Sequence, residues 1–150
     1  MNIDQLREEL KVDEGVRYEI YLDHLNLPTF GIGHLVLDSD VEHGQAPGTP
    51  ISEDRVNECF ARDVGIVLQD CKRLYTNFEF LPEEAQLIIA NMMFNMGYPR
   101  LSKFKGMKAA VDAGDWHLAA VEMVDSRWYQ QVTNRADRLV QRMRGIKNAL

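Results

Sequence analysis

Residues 13–34 read DEGVRYEIYLDHLNLPTFGIGH. Carboxylates stand at Asp13, Glu14, Glu19 and Asp23, a single threonine follows at Thr29, and Gly31-Ile32-Gly33-His34 closes the run. Neither one helix nor one strand accommodates this mixture. Gly15 stops any helix that precedes it. From Val16 to Leu37, short runs rich in Tyr, Ile, Phe, Val and Leu are punctuated by Asn26, Pro28, Gly31 and Gly33, the pattern of a small antiparallel sheet.

Upstream, Ile3, Leu6 and Leu10 fall near helical spacing, which predicts a short amphipathic helix over 3–13 with Glu14 at its C-terminal end. Downstream, residues 38–51 (DSDVEHGQAPGTPI) carry two Gly and two Pro and read as a loop. Ser52 is a good N-cap, with Glu53 and Asp54 in the favourable first turn. Val56, Cys59, Phe60, Asp63, Val64, Val67, Leu68 and Cys71 then follow the i, i+3, i+4, i+7 rule. Asp63 lies on this apolar stripe, where a carboxylate needs a partner, and His34 is the expected one.

Pro82 opens a further helix that is apolar around most of its circumference until Gly97 ends it, the mark of a buried central helix. Asn91 and Asn95 share one face of it; either neighbouring backbone satisfies their amides or they face a polar cleft. Three more helices are predicted, near Met107–Ala113, Trp116–Val124 and Asn134–Lys147, with Asn134 capping the last. The fold class is therefore α+β and mostly helical. We expect one domain over 1–150, with a small sheet-bearing lobe over about 15–60 and a helical lobe over about 61–150 that also takes the N-terminal helix 1–14.

Of the 150 residues, 45% are hydrophobic, enough for one well-packed core. The N-terminus lacks the continuous apolar run of a signal peptide or membrane span, so folding in the cytoplasm and no membrane insertion are expected. Cys59 and Cys71, twelve residues apart on one helix, would lie about 18 Å apart, beyond disulfide reach. The net charge of −6 argues against nucleic acid as a partner. Its distribution is uneven: residues 126–150 hold Arg127, Arg135, Arg138, Arg142, Arg144 and Lys147 against Asp137 alone. His24, His43 and His117 are scattered over different elements, so no metal is expected.

Two carboxyl groups in unlike settings can hydrolyse a glycosidic bond, one giving a proton to the leaving oxygen and the other activating water or supporting the developing cation. Glu14, shielded at a helix end, is placed to keep its proton, and Asp23, in a wetter hairpin, to stay ionised. Spacing alone favours reading each as a surface carboxylate, since any acidic chain of this length offers such pairs. Gly31 and Gly33 do not make a phosphate loop, since no helix opens after them and a third glycine is absent; they read as tight backbone between strands.

Glu14, Gly15, Tyr21, Asp23, Thr29 and Gly31-Ile32-Gly33-His34 together resemble the phage T4-type lysozymes, family 24 of the glycoside hydrolases. The resemblance continues through Asn91-Met92-Met93-Phe94-Asn95-Met96-Gly97, Ser126-Arg127-Trp128-Tyr129 and Asn134-Arg135, covering nearly the whole chain in order. It implies a lysozyme-like fold and an inverting hydrolase acting on the β-1,4 bond between N-acetylmuramic acid and N-acetylglucosamine in bacterial peptidoglycan. Glu14 would be the general acid, Asp23 the group that positions and deprotonates water or stabilises the cation, and Thr29 the hydroxyl that holds the attacking water. His34 would pair with Asp63, Arg135 with Glu14 and Arg138 with Asp13.

Asn91 and Asn95 would face the cleft, while Leu35, Phe94 and Phe104 line the sugar or peptide sites unless they serve the core. No cofactor is implied, and a monomer is expected. Family habit implies an enzyme that waits in the host cytoplasm until a separate membrane pore releases it to lyse the cell.

The chain departs from that pattern in places. Asn95 stands where a longer Gln is usual, Met107 and Glu122 where Ser and Asn are familiar, the loop after Leu37 is shorter, and the net charge is negative rather than positive. Two rivals share the scaffold: a lytic transglycosylase, against which Asp23 and Thr29 argue, and a wall-binding module without activity, which retention of Glu14, Asp23 and Thr29 disfavours.

Overall fold

The computed structural model describes residues 1–148. Along the chain it forms α1 (Ile3–Glu14), β1 (Arg17–Leu22), β2 (Pro28–Gly31), β3 (His34–Leu35), α2 (Glu53–Leu74), α3 (Glu83–Met96), α4 (Tyr98–Leu101), α5 (Lys105–Asp112), α6 (Trp116–Val124), α7 (Arg127–Gln131) and α8 (Thr133–Arg144). The chain divides into two compact units, Asp4–Ile66 and Met1–Ile3 with Val67–Leu150. Among the described residues, no helix is long and apolar enough to cross a membrane.

In the first unit, three antiparallel strands run in the order β1-β2-β3. Tyr21 pairs with Thr29, Thr29 with Leu35, and Phe30 with His34. Paired residues share a face, so Ile20, Phe30 and His34 form one side, all buried. Tyr21, Thr29 and Leu35 form the other. Gly31 packs so closely on α2 that a β-carbon there would stand 3.1 Å from Val56 Cγ1. The outer edge of β1 is covered by the end of the 38–51 loop, through Ile20 N–H to Thr49 O at 3.0 Å and Ile51 N–H to Tyr18 O at 2.9 Å.

The N-terminal helix belongs with this sheet, which corrects its expected place in the helical lobe. Leu6 and Leu10 are fully buried, and the Arg7 guanidinium lies 5.4 Å from the centre of the Phe60 ring of α2. Gly15, at φ +75°, then hands the chain straight to β1.

Ser52 caps α2 as expected, its hydroxyl accepting from Arg55 N–H at 3.1 Å. Cys59 and Cys71 are free thiols on this helix, and both are fully buried. Burial pushes the Cys59 thiol up to about 11, against the lowering pull of Arg55, and the Cys71 thiol up to about 12.

In the helical unit, α3 is buried from Ala85 to Met93, as its all-round apolar sequence predicts. Trp116, Ala120 and Met123 of α6 and Leu139, Val140 and Met143 of α8 are buried with it. The last helix starts at Thr133 rather than at a cap on Asn134. Thr133 Oγ1 donates to Tyr129 O at 2.9 Å, tying the start of α8 to α7 across the single residue Val132.

Candidate active site

Glu14 ends α1, and Gly15 N–H closes that end on Lys11 O at 2.9 Å. The Glu14 carboxyl lies over Gly33, whose φ is +62° and whose missing β-carbon would fall 2.5 Å from Glu14 Oε1. The second glycine of Gly-x-Gly-His therefore does more than tighten the backbone: it leaves the space the carboxyl occupies. Sequence reading found the glycine but had no signal for its neighbour.

Asp23 follows β1 in the hairpin. Its Oδ1 accepts from Leu25 N–H at 2.8 Å and from Leu27 N–H at 2.9 Å, an Asx turn that Asn26 completes at φ +61°. Thr29 is buried on β2, and its hydroxyl donates to Leu27 O at 3.0 Å. Tyr21 stands opposite Thr29 in the register. Burial raises the Tyr21 pKa first; Glu14 and Asp23 both add to it electrostatically, while Arg17 opposes them. Arg17 lies 4.3 Å from the centre of the Tyr21 ring and donates to Glu19 at 3.0 Å. Glu14, Tyr21, Asp23 and Thr29 thus all belong to one unit. Tyr21 was legible as a motif residue, but its pairing with Thr29 was not.

On the far side of the same sheet, His34 Nδ1 lies 2.6 Å from Asp63 Oδ2, as expected, and Nε2 lies 2.8 Å from Asp40 Oδ2. Asp40 also accepts from Leu37 N–H at 2.8 Å and from Arg55 at 3.3 Å, and Arg55 Nε donates to Glu42 at 2.8 Å. Burial alone pulls the His34 pKa down, but the bonds and charges of Asp63 and Asp40 outweigh it and the net shift is upward. Asp40 is held below the usual carboxylate range, its burial offset by Leu37 N–H, His34 and Arg55; Glu42 is held low chiefly by Arg55. His34 thus carries a structural charge pair, and the loop supplies half of its partners. Among the described residues, no group of three or more His, Cys, Asp or Glu side chains is placed to hold a metal ion.

Leu35, across from Thr29, is exposed. Asn91 is 1% exposed and its side-chain oxygen accepts from Arg135 Nε at 2.9 Å. Asn95 accepts from the Trp128 indole at 2.8 Å, and Phe104 meets Trp128 edge-on with ring centres 6.4 Å apart. Each amide oxygen thus accepts from a side chain of its own unit, where the sequence had offered neighbouring backbone or a polar cleft. Phe94 is half-buried on α3, Asp13 half-buried at the end of α1, and Arg138 exposed on α8.

A small antiparallel sheet with an acid at a helix end, a second acid on a hairpin turn and a hydroxyl on the strand between them, followed by a mainly helical unit, defines an α+β hydrolase domain of the lysozyme type. The phage lysozyme family matches residues 11–145, and the chain belongs to that family. It is 32% identical over 152 residues to the pre-baseplate central spike protein Gp5 of Enterobacteria phage T4, covering 89% of this chain and 26% of that protein. It is 27% identical over 157 residues to probable T4-type lysozyme 2 of Dictyostelium discoideum, with 92% of each covered. To peptidoglycan hydrolase gp36 of Pseudomonas phage phiKMV it is 26% identical over 137 residues, 91% of this chain and 15% of that protein. The chain therefore spans about a quarter of the spike protein and nearly the whole of the Dictyostelium one.

Proposed function

We propose that the chain hydrolyses the β-1,4 bond between N-acetylmuramic acid and N-acetylglucosamine in bacterial peptidoglycan, with inversion at the anomeric carbon. The observation that carries this reading is the Glu14 carboxyl seated over Gly33 in the same unit as Asp23, fixed by its Asx turn, and Thr29, buried on the strand that follows. Glu14 gives its proton to the leaving O4 as the C1–O4 bond breaks. A water held by Thr29 attacks C1 from the opposite face and loses a proton to Asp23. Glu14 ends ionised and Asp23 protonated, and exchange with solvent resets both. Leu35, exposed and paired with Thr29 in the sheet, is the apolar group of this unit proposed to meet the saccharide or its peptide.

The test is clearing of a wall suspension together with product analysis. Wild type should clear it and release free reducing ends, while Glu14→Gln should lose 10²–10⁴-fold in rate, the usual worth of a general acid, at unchanged Tm. A 1,6-anhydro product would instead establish a transglycosylase. Undiminished clearing by Glu14→Gln would remove Glu14 from the chemistry.

The setting proposed is lysis of the host from within, by monomers released through a separate membrane pore. Likeness to the T4 spike protein favours a second reading, delivery on the virion. Purified particles that contain the protein would establish the second; its presence only in infected cytoplasm would establish the first.

A further inference from the structure

We propose that the peptide group of Leu27 is the positioning element of the hydrolytic step: it fixes Asp23 and Thr29 so that both present only acceptor lone pairs to the attacking water, and it leaves Asp23 Oδ2 as the oxygen that takes the proton. This rests on the hydrolytic reading above.

One peptide group serves both residues. Leu27 N–H donates to Asp23 Oδ1 at 2.9 Å, and Leu27 O accepts Asp23 N–H at 3.0 Å and the Thr29 hydroxyl at 3.0 Å. A carbonyl oxygen only accepts, so the direction of the Thr29 bond is fixed without seeing its hydrogen. A hydroxyl owns one hydrogen. Thr29 has committed its hydrogen to Leu27, and toward a water it can only accept. The two backbone bonds on Asp23 fall on Oδ1, the second coming from Leu25 N–H at 2.8 Å, and they leave Oδ2 for the water.

A water between the two acceptors directs one hydrogen at Thr29 Oγ1 and the other at Asp23 Oδ2. Its two lone pairs point away from both acceptors, and one of them faces C1. On attack, the new C1–O bond keeps the hydrogen aimed at Thr29 as the product hydroxyl, and the hydrogen aimed at Asp23 leaves to Oδ2. The site therefore selects its nucleophile by the number of hydrogens it can donate: water offers two, methanol one. The Leu27 side chain, 41% exposed, takes no part, which is why side-chain motifs do not mark the position.

The test replaces leucine 27 with leucic acid by stop-codon suppression, exchanging its N–H for an ester oxygen. The same replacement at Leu37, whose N–H also bonds an aspartate oxygen, at 2.8 Å but outside the site, is the structural control. Kinetics on a defined glycan oligomer are read beside Tm. We expect kcat to fall on the order of tenfold to a hundredfold at position 27 with KM nearly constant, and to hold at position 37 while Tm falls at both. In methanol–water mixtures, Thr29→Val should raise the methyl-glycoside fraction severalfold over wild type, and Thr29→Ser should not.

Equal kcat at 27 and 37, or a product fraction unmoved by Thr29→Val, would overturn the role of Leu27 while reducing ends from wild type keep the hydrolytic reading intact. Absence of reducing ends from wild type would overturn both.

Discussion

At the scale of the residue, Gly31 and Gly33 show how the same short motif serves two purposes. Both sit at positive φ, near +65° and +62°, so an alanine at either meets backbone strain of about 1–2 kcal/mol. Their neighbours differ: Val56 of α2 at Gly31, and the Glu14 carboxyl at Gly33. Gly31→Ala should therefore lower Tm and leave kcat near wild type. Gly33→Ala should lower Tm by a similar amount and also reduce kcat at least tenfold, because the carboxyl must move. Equal kcat losses in the two variants would contradict the contact with Glu14. The sequence makes the two glycines legible as backbone constraints, since no helix follows them. Which atoms approach them depends on tertiary folding, which spacing does not encode. Asp63 is the opposite case: a carboxylate on an apolar stripe demands a partner, and His34 is the one the fold brings to it.

At the scale of the element, the 38–51 loop is held by charge. Asp40 and Glu42 are nearly as buried as the strand residues, and Arg55 joins them. None of this was legible, because loop residues carry no periodicity and a buried Asp looks like an exposed one in sequence. The short helices α4 and α7 escaped for a related reason: four or five residues are too few to show a 3.6 period. The network sets a pH dependence whose sign follows from the shifts. His34 has a raised pKa, so its contribution is complete below its ordinary value of about 6.5 and fades as pH rises through the folded value. Asp40 and Glu42 are depressed, so theirs is complete above the ordinary carboxylate range and fades as pH falls through the folded values. Stability should peak in mildly acidic solution. His34→Gln should cost about 3 kcal/mol there, as removal of one partner of a buried pair does. Urea titrations of both proteins from pH 5 to 9 should show that gap narrowing with pH; a widening gap would contradict the assignment.

At the scale of the whole molecule, the chain carries −6 while its last 25 residues are basic. A bacterial wall is anionic, so capture by these cations predicts activity that falls as salt rises. Arg144 and Lys147 are exposed, and Arg144→Gln with Lys147→Gln should weaken wall binding severalfold at low salt, with kcat on a soluble oligomer unchanged. Activity insensitive to salt in wild type would count against electrostatic capture. The α+β class, the buried central helix and the long helix from Ser52 were all readable from periodicity and caps. The partition of the chain was read less well, since Leu6 and Leu10 announce that α1 is buried without saying against what.

The two thiols of α2 fall on either side of the boundary between the compact units, Cys59 in Asp4–Ile66 and Cys71 in Val67–Leu150. Each is sealed from solvent and kept in its unreactive protonated form by its surroundings. A disulfide reagent can therefore modify either one only when the segment around it transiently opens. The native chain thus comes with two internal clocks, one per unit, and peptide mapping of a labelling time course would read how often each half of the enzyme breathes without adding a single probe.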